Sequence, residues 1–396
     1  MPDHDLMQTF PAAPEKMVTL ENWRLPPFNR WAYQHVSELV PSAQIWHGVG
    51  PAWALPRASM DLGDIAYTDH TGAAATFNQY LDRHETDGIC VIHHGEIIAE
   101  HYRNGLQAHR PHILMSVSKS ITALVIGILV EHGKLDPAAG ITHLIPEVAG
   151  SAFGDCTLQH LLDMTAGVDF TEDYLADAGL ITEYREVSNW KPSSNPANPG
   201  DLRSWLCTLK KSGEHGAAFH YVSPCTDLLG WVIERATGRP YAEMVSELLW
   251  QPMGAEFDGY VTVDRHGAPR TAGGVCLCLR DLARVGQMML ENGQANGRQV
   301  VPQSWVADSR FNGDKAAWAA GESAASNPAG SYRNKWWVMG DGHGAYTGIG
   351  VFGQYLWIDP VASLVIAKFA SEPLPTDDNV SLDTARCFQA VGQALA

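Results

Sequence analysis

Long hydrophobic runs are missing from this sequence. The longest, Ile121 to Val130, has ten residues, about half of the roughly 20 that a membrane-spanning helix needs. The chain opens Met1-Pro2-Asp3-His4-Asp5, with no basic n-region and no apolar h-region, so no secretory signal is expected. Cysteine pairing signals are missing too. The seven cysteines are an odd number without a C-x-x-C pair. That points to reduced thiols and a cytoplasmic location. Basic residues are scarce: Lys and Arg total 27 against 44 Asp and Glu, a formal net charge of −17. Such a surface repels phosphate backbones, so nucleic acid is not an expected partner. No G-x-S-x-G occurs, which argues against an α/β-hydrolase.

What is present is a globular balance, 45% hydrophobic and 18% charged, which excludes disordered and fibrous classes. The first 30 or so residues are Pro-rich and irregular. Residues 73–84 read as a short helix. Ile89 to His93 and Glu96 to Tyr102 read as a hairpin turning at His94-Gly95. Ser116 to Glu131 has Ile121, Leu124, Val125, Ile128 and Leu129 at helical spacing, stopped by Gly133. Thr157 looks like the cap of a helix carrying Leu158, Leu161 and Leu162. Lys191 to Asp201 is a loop because three prolines and a glycine break it. Helices are expected at 227–236, 241–250, 280–290 and 384–395. A surface loop is expected at 316–330, and strands over 348–370 flanking Asp359-Pro360.

Strands early and late with helices between give an α/β (α+β) fold. Its antiparallel sheet domain comes from 1–107 and 271–396, with an inserted helical domain at 108–270 and the active site at their interface.

The string with chemical content is Ser116-Val117-Ser118-Lys119. Residues three apart share a helix face, so Lys119 reaches the Ser116 hydroxyl. A serine alcohol is a weak nucleophile and needs such a base or proton path. Taken alone, Ser116 reads equally well as a helix cap. A second copy, Ser188 to Lys191, runs into Pro192 and has no helix to hold its spacing. Tyr221-Val222-Ser223 follows 105 residues after Ser116. A phenol beside an ammonium ionises more easily, so Tyr221 is a candidate general base. Tyr346-Thr347-Gly348-Ile349 leads into the late strands. The Ile349 N–H could join that of Ser116 as an oxyanion hole.

These three strings, in this order, resemble the S-x-x-K, Y-x-N and K-T-G elements of the serine β-lactamase and penicillin-binding superfamily. Within it, LMSVSKS at 114–120, EDY at 172–174, RDLARVG at 280–286 and GIGVFGQYLWIDP at 348–360 resemble the 6-aminohexanoate-dimer (nylon-oligomer) hydrolase and class C β-lactamase-like carboxylesterase family.

The resemblance implies a β-lactamase/transpeptidase-like fold and a Ser116 acyl-enzyme. Lys119 and Tyr221 would move protons, and the Ser116 and Ile349 backbones would form the oxyanion hole. Tyr174, Trp190, Ser223, Tyr346, Thr347 and Gly348 would contact substrate. Trp190 and the Lys191–Asp201 loop match a flexible region over the family's cleft.

Ser223 and Tyr346 depart from the motif's Asn and Lys, and the lost lysine lowers the expectation of β-lactam hydrolysis. Arg185 falls near a loop position where an acid would favour a substrate ammonium. An arginine would disfavour it.

The expected activity is hydrolysis of small-molecule esters, extending to linear amides. The alternatives are acyl transfer by the same acyl-enzyme, or β-lactam or D-Ala-D-Ala cleavage. No cofactor or metal is expected, no membrane partner, and a homodimer is left open. Gly348 to Gly353 spells G-x-G-x-x-G but precedes a strand, so it is no dinucleotide signal. Trp336-Trp337 read as core or as the wall of an acyl pocket.

Overall fold

The computed structural model describes residues 5–197 and 199–396. Met1–His4 of the irregular N-terminus and Asn198 of the Pro-rich loop lie outside them. The early and late strands form one seven-stranded antiparallel sheet. Its order is Ser331–Arg333, Trp336–Val338, Tyr346–Gly350, Gln354–Asp359, Leu364–Ala370, Thr86–His93, Glu96–Tyr102. The strand nearest the C-terminus therefore pairs with the early hairpin, Ile366 opposite Val91.

The two-residue period of each strand sorts side chains onto two faces. Cys90, Ile92, Leu356, Ile358 and Val365 share a core with Leu282, Val285 and Met289 of the helix Leu279–Leu290. Ile89, Val91, Trp357 and Ile366 pack instead against Tyr80 of the helix Phe77–Arg83 and Phe388 of the helix Asp378–Leu395. Each fully buried aliphatic side chain contributes about 1.5–3 kcal/mol. Covered on both faces, the central strands are buried throughout and carry continuous apolar stretches, Tyr355–Ile358 and Leu364–Ala367. Gly286 lets the Leu279–Leu290 helix lie close, since a Cβ there would stand 2.4 Å from Val365 Cγ1.

The helices between are largely where periodicity placed them. Val117–Glu131 is buried along almost its whole length. Thr157 caps Leu158–Leu162 through a capping box. Pro224–Thr237 starts at a proline and stops at Gly238 with φ 69°. No helix among the described residues is long and apolar enough to cross a membrane.

Among the differences from the sequence reading, three stand out. Residues 74–76 are a strand, and the helix begins only at Phe77, where Thr76 supplies the cap. The helix Lys315–Ala319 takes up the start of the surface loop expected at 316–330, with Trp318 buried beside Phe219. A second antiparallel sheet orders Ser42–Ile45, Gly259–Thr262, Val275–Leu277 and His112–Ile113. That sheet carries the chain to Ser116: Leu114 N–H donates to Val275 O at 2.9 Å.

Candidate active site

The turn before the long central helix sets the site. Met115 has φ 45°, a left-handed backbone rare for a non-glycine residue, and it turns the chain sharply from strand to helix. Ser116 then holds the cap position, but its side chain caps nothing. Among the described residues nothing accepts its backbone N–H. Its hydroxyl instead accepts from Lys119 Nζ at 2.7 Å. Lys119 is 1% exposed and also donates to Ala272 O at 2.8 Å. Loss of hydration pulls its pKa down to about 7, so near neutrality much of it is a free amine.

Tyr221 shares a hydrogen bond with the Ser116 hydroxyl, and Lys119 Nζ stands 5.0 Å from its ring centroid. The sequence suggested a phenol that ionises easily. The site produces the reverse: burial, then the charge of Glu172, hold the phenol protonated well above its usual range. The competing Ser188-x-x-Lys191 string is spent locally. Ser188 Oγ donates to Tyr184 O at 2.7 Å in the last turn of its helix.

Two hollows meet at Ser116. The larger, about 450 Å³, is walled by Tyr221, Trp337, Ile349 and the segment Glu372 to Asp377. Trp337 stacks on Tyr221 with centroids 5.6 Å apart, whereas Trp336 is fully buried. The adjacent strings thus gave one core and one wall residue. The smaller hollow, about 50 Å³, is bounded by Trp190, Ser223, Ala272 and three arginines. Tyr174 and Glu172 line both. Glu172 accepts the Tyr174 hydroxyl and the Ser223 N–H.

Ser116, Lys119, Tyr221, Ile349, Tyr174, Trp190 and Ser223 therefore come together. Tyr346, Thr347 and Gly348 do not line either hollow. The Tyr346 ring is fully buried, edge-on to Trp336. Thr347 Oγ1 donates to Gly348 O at 3.1 Å. A Cβ at Gly348 would stand 3.0 Å from Ser120 Oγ, so this glycine fits the strand to the central helix rather than to substrate.

Trp190 is also differently used. It is 6% exposed, its indole N–H bonds Thr262 Oγ1 at 3.0 Å, and Trp23 packs edge-on at 5.3 Å. It is a fixed wall. The described part of 191–201 lines neither hollow. Arg185, noted in the sequence for disfavouring a substrate ammonium, lines the smaller hollow, whereas Glu172, Glu322, the segment 372–377, Arg24 and Arg270 escaped the sequence reading. The EDY string at 172–174 was the one signal available, and it drew notice only to Tyr174.

A family profile described as Beta-lactamase matches residues 73–389. The chain belongs to that family. It is 36% identical over 389 residues to the 6-aminohexanoate-dimer hydrolase of Paenarthrobacter ureafaciens, covering 96% of this chain and 97% of that protein. It is 33% identical over 207 residues to Esterase EstB of Burkholderia gladioli, 48% of this chain and 51% of that one. A Bacillus anthracis structure bearing the 6-aminohexanoate-dimer hydrolase name superposes with a TM-score of 0.88 at 29% identity, covering 96% of this chain and 97% of the other. The β-lactamase/transpeptidase-like fold expected from the motifs is the fold found. The protein is a serine-type hydrolase of this family, and acyl transfer is not favoured.

Proposed function

We propose that this enzyme cleaves small carboxylic esters, and linear amides as in its 36%-identical relative, through an ester formed on Ser116. One observation carries the reading. A buried lysine with a pKa near 7 bonds a serine hydroxyl at 2.7 Å, at the mouth of a hollow large enough for a small substrate.

The amine of Lys119 takes the Ser116 proton as Oγ bonds the substrate carbonyl carbon. Negative charge on the carbonyl oxygen is met by the N–H groups of Ser116 and Ile349. Tyr221, kept protonated and hydrogen-bonded at Ser116, gives its proton to the departing oxygen or nitrogen. The lysine ammonium then restores the phenol. Water repeats the sequence on the acyl-enzyme and frees the acid.

The site would lie where the sheet lobe, 1–107 and 271–396, meets the helical lobe, 108–270. Ala272 and Ile349 from the first and Lys119 and Tyr221 from the second support that division. All seven cysteines are free, which supports a reducing, cytoplasmic setting. The net charge of −17 supports the absence of nucleic-acid partners. Tyr346 in place of the motif lysine, buried away from both hollows, disfavours β-lactams.

The test is hydrolysis of short p-nitrophenyl esters together with fluorophosphonate labelling. Ser116→Ala loses both and Ser188→Ala keeps both. Activity that survives Ser116→Ala defeats the reading.

A further inference from the structure

The smaller hollow beside Ser116 collects three guanidiniums: Arg24, Arg185 and Arg270. Their bonding leaves positive charge unspent. Arg270, 7% exposed, gives Nη1 to Asp227 Oδ2 at 2.5 Å and to the Tyr184 hydroxyl, but its Nε is buried without a partner. Arg185, 8% exposed, gives Nη1 to Ala176 O at 2.9 Å and Nη2 to Tyr174 O at 2.8 Å. Those acceptors are neutral carbonyls, so its charge stays whole. Arg24 has no hydrogen bond or ion pair among the described residues. Burial and the neighbouring Arg185 and Arg270 pull its pKa down to about 10, a sign of crowded like charge. Three carboxylates oppose the three cations, and of these Asp173, on the side of the larger hollow, acts on Arg185 without an ion pair. Asp227 is engaged with Arg270, and Glu172 is held by Tyr174 and Ser223.

The larger hollow has the opposite character. Glu172, Asp173, Glu322, Glu372 and Asp377 line it, with no lysine or arginine. A bound substrate therefore meets a field that changes sign across Ser116. Desolvated guanidiniums bind planar carboxylates through paired N–H donors. A hollow of about 50 Å³ suits such a group at the end of a short chain.

We infer that the hollow formed by Arg24, Arg185 and Arg270 is a carboxylate-binding subsite. The enzyme therefore selects esters or amides that carry a free carboxylate a few carbons from the scissile carbonyl, and rejects those carrying an ammonium there. The inference rests on the Ser116 hydrolase reading.

The experiment compares kcat/KM for p-nitrophenyl esters of glutarate (one carboxyl free), pentanoate and 5-(trimethylammonio)pentanoate. A second series places the same three end groups on the alcohol side. In at least one series the carboxylate is preferred over the neutral ester by about tenfold or more, and over the cation by more still. Arg24→Gln brings that ratio near one. Equal rates, or a preference for the cation, in both series overturn the inference. So does a ratio untouched by Arg24→Gln.

Hydrolysis of none of the esters would instead sink the Ser116 reading. Calorimetric titration with glutarate then decides the subsite by itself. Binding that weakens about tenfold in Arg24→Gln upholds it, and no binding refutes it.

Discussion

Asp227 Oδ1 accepts the backbone N–H of Ala272 at 2.8 Å. The carbonyl of the same residue accepts Lys119 Nζ at 2.8 Å. Asp227 thus fixes, through one residue, the group that aims the lysine at Ser116. It also balances Arg270 at 2.5 Å. Its charge favours the ammonium form of Lys119, and that of Arg270 opposes it. In Asp227→Asn the lysine should therefore lose its proton more readily, moving the acid limb of the kcat/KM profile to lower pH. Breaking a buried ion pair costs about 3–5 kcal/mol, so the melting temperature falls as well. A purely structural role would lower the melting temperature and leave the limb in place.

The pH dependence of the wild type follows from Lys119 itself. Burial lowers its pKa to about 7. The ammonium cannot accept the Ser116 proton, so activity requires the deprotonated form. Below pH 7 the amine fraction drops about tenfold per unit. Log kcat/KM should rise with a slope near one up to about pH 7 and then level. Lys119→Arg keeps a cation that never deprotonates, so it should be inactive at every pH. A wild-type profile flat from pH 5 to 8 would contradict this assignment.

Tyr221 is the donor in this scheme, because burial and Glu172 keep its phenol protonated. Tyr221→Phe retains the ring that stacks on Trp337 and removes only the hydroxyl. The expected result is a loss in kcat of about 100-fold or more with a small change in KM, as for other lost proton-transfer groups. The loss should shrink for esters with better leaving groups, which need less protonation. An equal loss across a leaving-group series would assign Tyr221 a merely structural part.

How much of this was legible in the sequence depends on how each residue is encoded. Ser116 and Lys119 share one helix turn, so their spacing alone carries geometry. The strands 354–359 and 364–370 announced themselves because both faces of the sheet are buried. The four-stranded sheet did not, since strands of two to four residues hold too little alternation to show a period. Arg24, Glu172 and Arg270 converge from three remote segments, and of the three only Glu172 lies in a string, EDY at 172–174, that the sequence marks. Tyr346 shows the opposite error: the motif gave its position, but the strand turns its side chain into the core.

That last placement can be checked directly. The Tyr346 hydroxyl is buried and has no hydrogen-bond partner, while its ring packs on Trp336 and lies 5.4 Å from the Arg310 guanidinium. Tyr346→Phe keeps both ring contacts and removes a desolvated oxygen whose burial costs about 1–3 kcal/mol. Thermal unfolding should therefore shift upward by a few degrees, while kcat/KM for a neutral short-chain ester stays within about twofold. A residue that held substrate through its hydroxyl, as the motif position suggested, would show the reverse: unchanged stability and a raised KM. That outcome would return the side chain to the cleft and undo the correction.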